Sequence, residues 1–396
     1  MTLHAYKPEW AFFTGLRNRA ARWQRQQLIT PEQLAAIEAA YPLDYYRPVW
    51  PLRVGLFLFA LLGLSMGGGF SFMITDSSPL LAAILHCIAC FVILELLIKQ
   101  SRFYHAGADN ALLYTGLATA VGIIAYVSYE YIWPVHLGQQ FTPVYAIPPL
   151  LLVLALLLAA TVRYADALVT AVAACVALLI VAFIITLIPF GPVLLPFLMM
   201  GTAGALFALH RALARQLAGT QLFDYYASCL LMLKALSLVL LYLAGNYLVV
   251  REGNAELHNL SNSEQVPFAP LFYALTAGIP LLYITMGLRR ADRPTLLLGL
   301  LTLAFSIFTL RYYRSLLPPE IAAVGAGLFL TVLAGALLRF LRPARFGLTS
   351  EPDDEPQHFN LENLIQAQTA HAPGAPAGGF EFGGGQSGGG GATGQF

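Results

Sequence analysis

The chain has 396 residues, 58% of them apolar and only 11% charged, less than half the roughly 25% usual in soluble domains. With 22 Lys and Arg against 21 Asp and Glu, its formal charge of +1 excludes the basic excess of a dedicated nucleic-acid binder. Its four cysteines all fall in apolar stretches, which excludes a disulfide framework of the secreted kind.

Residues 1–51 make a polar amino-terminal head. It carries Arg17, Arg19, Arg22 and Arg25 without an apolar core segment, unlike a cleavable leader, so the first apolar stretch is expected to act as the insertion signal. The pattern from Trp10 to Gln27 predicts a basic helix. Thr30-Pro31-Glu32-Gln33 has the form of a capping box with proline at the first helical position, which predicts a second helix from Pro31 to about Ala40, stopped by Tyr41-Pro42. Arginines interleaved with Trp10, Phe12, Phe13 and Trp23 suit a helix lying on an anionic cytoplasmic leaflet; the alternative is a head packed on the rest of the protein.

Ten mostly apolar stretches follow, each of about 17 to 26 residues and long enough to cross a roughly 30 Å hydrocarbon core. They cover residues 52–74, 80–98, 111–133, 144–162, 165–188, 193–210, 225–250, 268–288, 294–310 and 321–341. The expected fold is all-α, an integral membrane bundle of about ten helices over residues 52–341. With the head inside, 18 of the 22 Lys and Arg residues fall on the cytoplasmic side, Arg251, Arg311 and Arg314 fall outside, and Lys234 lies within a span. That split follows the positive-inside rule with both termini cytoplasmic. The external connection at 251–267, acidic and Asn-rich, reads as a solvated turn, and neither it nor 134–143 carries a binding motif.

Ionisable residues inside spans are candidates for function, because a charge at the bilayer centre costs at least about 2.5 kcal/mol. Lys234, nine residues past Tyr225 and so about 14 Å along its helix, leads them, with Glu95 as its expected partner. Glu95 can pair instead with Lys99, four residues on. A proton or ion relay is the functional counterpart of such a pairing. His86, Cys87 and Cys90 share a helix face, but one helix supplies too few ligands for a metal, and they read as small residues at a helix interface. Gly67-Gly68-Gly69, Gly201 with Gly204, and Pro148-Pro149 weaken three spans as in transporters, although no internal repeat relates them. Asp109-Asn110 reads as a helix cap. No G-x-S-x-G, H-E-x-x-H or paired intramembrane aspartates point to catalysis, so no catalytic, cofactor-binding or metal residue is assigned and no cofactor is expected.

From Gly347 the character changes. Residues 347–396 read as a disordered cytoplasmic tail, first acidic and then Gly-rich, in which Phe380, Phe382 and Phe396 are spaced to suit weak contacts with a partner, the alternative being an inert spacer.

Leu28 to Glu38, L-I-T-P-E-Q-L-A-A-I-E, placed just ahead of a many-helix bundle, resembles the bacterial membrane-protein family catalogued as domain of unknown function 2157. Arg102 to Tyr114, R-F-Y-H-A-G-A-D-N-A-L-L-Y, is also reminiscent of such proteins, and residues 378–396 are similar to the tails of bacterial TPM-domain membrane proteins, without the TPM domain itself. The resemblance implies a multi-pass protein of the bacterial inner membrane and brings no known catalytic residues. For function the expectation is a membrane scaffold, sensor or assembly partner, with the lipid bilayer and a membrane protein bound through head or tail as partners. A secondary transporter with a site near Lys234 is the alternative.

Overall fold

The computed structural model describes residues 3–75, 78–133, 143–258, 260–313 and 319–342. Fourteen helices and no strand are found among them: α1 (Pro8–Arg25), α2 (Pro31–Ala40), α3 (Trp50–Ile74), α4 (Pro79–Gln100), α5 (Ala108–Val127), α6 (Pro143–Tyr164), α7 (Ala167–Thr186), α8 (Gly191–Leu217), α9 (Gln221–Tyr225), α10 (Ala227–Gly245), α11 (Tyr247–Leu257), α12 (Ala269–Arg289), α13 (Arg293–Tyr313) and α14 (Pro319–Phe340). A π-helical turn, Ser128–Ile132, ends α5. Among the described residues nine helices, α3 to α8 with α10, α12 and α13, are long and apolar enough to cross a bilayer. The tenth expected span corresponds to α14, of which Gly327–Phe340 is described as a shorter apolar stretch.

Large apolar side chains cover the outside of the bundle. Phe59, Met66 and Met73 are 76%, 72% and 78% exposed. A soluble surface does not carry so broad an apolar cover, whereas hydrocarbon solvates it at no cost. The chain is a multi-pass membrane protein.

The head packs on the bundle rather than lying free on a surface. Tyr6 and Trp10 are buried, Ala5 N–H donates to Arg163 O at 2.8 Å, Trp10 Nε1 to Asp44 at 2.7 Å, and Arg19 pairs with Asp224 at 3.4 Å. Residues 41–49 run beside the α4–α5 connection, where Tyr46 and Phe103 form a parallel bridge. The head and the connections after α4, α6 and α8 therefore share one face. In α2 the capping box forms with both bonds present, Gln33 N–H to Thr30 Oγ1 at 3.2 Å and Thr30 N–H to Gln33 Oε1 at 2.9 Å.

Three sequence expectations need correction. The seventh stretch is not one helix: it is interrupted at Tyr226 and at Asn246. Asn246 has extended backbone, and its Oδ1 accepts from Leu248 N–H at 3.0 Å and Val249 N–H at 3.3 Å, so it caps a new helix where hydropathy alone sees a continuous span. In consequence the 251–267 segment is helical through Leu257 rather than a solvated turn. Arg251 Nη2 donates to Ser263 O at 2.6 Å, and its guanidinium lies 4.5 Å from the Tyr313 ring centre. Pro148-Pro149 do not interrupt the fourth span, since α6 runs through both.

Sidedness is open to a direct check. Reporter fusions after Leu288 and after Leu341 are expected to be cytoplasmic, and one within 253–265 external. An external signal from the fusion after Leu341 would mean that the helix count is wrong.

Candidate functional site

Lys234 and Glu95 do not pair with each other. Lys234 Nζ bonds Asp292, in the three-residue connection between α12 and α13, and Asp292 also accepts from Thr295 Oγ1 at 2.7 Å. Burial pulls the Asp292 carboxyl up, but the bonds from Lys234 and Thr295 and the lysine's charge outweigh it and hold the group below its ordinary value. Beside the pair lies a cavity of about 190 Å³, lined by Phe207, His210, Arg211, Tyr283 and Arg290 among others. Glu95 instead accepts from Arg163 Nε at 2.8 Å and Nη2 at 2.6 Å and from the Tyr164 hydroxyl at 3.0 Å, with Lys99 at 3.5 Å. It ties α4 to α6. The α12–α13 hairpin delivers its carboxylate to α10 from outside the spans, so matching depth within spans does not reveal the pair.

Above Lys234 the bundle is more polar than hydropathy suggests. One face of α13 carries Thr295, Gly299, Thr302, Ser306, Thr309 and Tyr313, spaced alternately four and three apart. Its hydroxyls at 295, 302, 306 and 309 are buried. Ser306 Oγ donates to Thr276 O at 2.5 Å and shares a bond with Tyr242 at 2.8 Å; Asn246 Nδ2 donates to Tyr242 at 2.9 Å and to Thr309 at 3.1 Å. The far end reaches Tyr313, whose hydroxyl bonds Glu252. A polar seam thus runs between α10, α12 and α13, from the Lys234–Asp292 pair past the helix break at Asn246. Serine and threonine are nearly neutral on hydropathy scales, so only their helical spacing could have signalled it. Gly299 lets α12 approach there: a β-carbon would sit 2.8 Å from Ile284 N.

The second assembly uses residues among which the sequence assigned a task only to Asp109 and Asn110, as a helix cap. Gly107 turns the chain with φ of +106°, and Asp109, fully buried, accepts from Ala106 N–H at 2.8 Å, Gly107 N–H at 3.0 Å and the Tyr6 hydroxyl at 2.8 Å. Asp109 does not cap α5, whose N-cap is Gly107 without a side-chain cap bond; from inside the first turn it ties down the α4–α5 connection and holds the head. Asp166, buried at the start of α7, accepts from Val169 N–H at 3.0 Å, Asn110 Nδ2 at 3.1 Å and the Tyr114 hydroxyl at 2.9 Å. Burial first, and then the Asp109 charge and hydrogen bond, hold the Tyr6 phenol well above its ordinary value. Burial holds the His105 imidazole below its own, although Asp109 and Asp166 pull it the other way. An open cavity of about 420 Å³ lies against this cluster, lined by Arg47, Trp50, Arg53, His105, Asn110 and Asp166 among others. The sequence signal was the density of polar and aromatic residues in 102–114, the polar lead-in to the third span and its first turn.

No family model matches the chain, and no curated protein or solved structure matches it either.

The remaining sequence candidates resolve as packing contacts or fall outside the described residues. Cys90 Sγ lies 3.7 Å from His86 Nε2, and Cys87 Sγ is 3.5 Å from Gly116 O. Among the described residues no three of His, Cys, Asp and Glu gather as a ligand set. Phe380, Phe382 and Phe396 of the tail lie outside the described residues.

Proposed function

We propose that this is a multi-pass protein of the bacterial inner membrane, related to the domain of unknown function 2157 family, that acts as a scaffold, sensor or assembly partner. One observation carries the reading: the head is locked to the bundle through the buried Tyr6–Asp109 bond, which spans 103 positions of sequence. A head so held reports on the arrangement of α4, α5 and α7 and presents α2, none of whose residues is buried, to a partner. Photo-crosslinking from Glu32 in intact cells is expected to give discrete adducts whose yield falls several-fold in Tyr6→Phe. Adducts equally abundant in that variant would sink the coupling.

A secondary transporter is the second reading, favoured by the polar seam with its broken helix and the cavity at its Lys234 end. Proteoliposomes bearing a pH-sensitive dye separate the two. Scaffolding predicts proton flux no faster than in empty vesicles, and flux abolished by Lys234→Met would transfer the proposal to transport.

A further inference from the structure

Two guanidinium groups at the head–bundle cavity have no carboxylate of their own among the described residues. Arg47 is exposed and lies over the Tyr104 ring at 5.3 Å; Arg53 donates Nη1 to His105 O at 3.3 Å, and its Nε is buried with no hydrogen-bond partner among the described residues. The nearby carboxylates are already engaged. Asp109 is held by Tyr6 and two backbone N–H groups, Asp166 by Val169, Asn110 and Tyr114, and Asp44 by Trp10 at 2.7 Å and Arg102 at 3.4 Å. A buried N–H donor without an acceptor is costly, and two adjacent like charges call for an anion between them. Both arginines line the same cavity as Trp50, the first residue of the α3 span and 68% exposed, where tryptophan marks the water–membrane boundary.

We propose that this cavity binds a phosphate-bearing ligand, with Arg47 and Arg53 holding the phosphate oxygens and Asn110 at its inner wall. Guanidinium forks match phosphate geometry, and a pair of them gives the site its selectivity for phosphate over a zwitterionic or neutral head. The phosphate can come from an anionic phospholipid in the adjoining leaflet or from a soluble phosphate ester. Binding there is independent of whether the protein scaffolds or transports.

The test uses full-length protein in phosphatidylcholine nanodiscs, titrated in parallel with dioctanoyl phosphatidic acid, glycerol 3-phosphate and inorganic phosphate, and read by native mass spectrometry and thermal shift. Saturable binding is expected, weakened at least about tenfold by Arg47→Gln and by Arg53→Gln and unchanged by Lys99→Gln, a cation outside the cavity. Saturation by the short-chain lipid alone assigns the source to the membrane; equal saturation by glycerol 3-phosphate assigns it to the cytoplasm. Absence of saturation with all three probes, or binding indifferent to Arg47→Gln, would overturn the proposal. Arg47 is exposed and forms no ion pair among the described residues, so its variant stays readable even where Arg53→Gln fails to fold.

Discussion

Replacing Gly107 with alanine is expected to cost the protein its fold. Gly107 has φ of +106°, outside the range an L side chain adopts readily, and a β-carbon there would lie 2.1 Å from the Arg53 carbonyl oxygen and 3.0 Å from its carbon. Both are backbone atoms of the first turn of α3, so no side-chain rotation relieves the clash. The α4–α5 connection would have to move away from α3. It would take with it the Arg53–His105 bond and the bond from Gly107 N–H to Asp109, on which Tyr6 and the head depend. The loss should exceed about 4 kcal/mol, the range reached when several such mechanisms coincide. Gly122→Ala in α5 is the control: nothing lies within 4 Å of its β-carbon, and alanine favours a helix by about 1 kcal/mol. Thermal melts and size-exclusion profiles in detergent should show Gly122→Ala at or above the wild type and Gly107→Ala aggregated. A monodisperse Gly107→Ala with an unshifted melt would mean that the connection is not packed as described.

Features encoded within one helix turn, or by sheer length, were legible in the sequence. The Thr30–Gln33 capping box needs only side chains three residues apart and forms where the pattern puts it; the apolar stretches need only composition, and nine of the ten hold a helix long and apolar enough to cross a bilayer among the described residues. Features that depend on how helices dock were not. Nothing local to Lys234 favours Asp292 over Glu95; the choice is made when the α12–α13 hairpin settles against α10. Asn246 carries a strong capping side chain, but Gly245-Asn246 sits between apolar runs, and a window long enough to detect a span averages it away. The head posed the same difficulty, because Tyr6 and Trp10 would serve a leaflet as well as a protein surface. What decides for the protein is Asp109, a carboxylate too costly to bury without the Tyr6 hydroxyl and two backbone N–H groups.

Lys234→Met alone is expected to be more damaging than Lys234→Met combined with Asp292→Asn. The pair is partly buried, with side chains 17% and 23% exposed, and removing the lysine takes from Asp292 its charged partner while the Thr295 hydroxyl still donates to it. Stranding one member of a buried ion pair costs about 3 to 5 kcal/mol; partial exposure at the span's edge lowers this to about 1 to 3. The double variant keeps the shape of the site without the charge and should recover at least half of the loss, a coupling that a thermodynamic cycle in detergent would read. Because the folded protein holds the Asp292 carboxyl below its unfolded value of roughly 3.9, the pair contributes its stability above that pH and loses it as pH falls through the folded-state value. The difference in melting temperature between wild type and Lys234→Met should therefore be full at pH 7 and shrink toward pH 3. A difference that stays constant across that window would mean that the lysine stabilises the bundle through its methylene stem, and that Asp292 is a bystander.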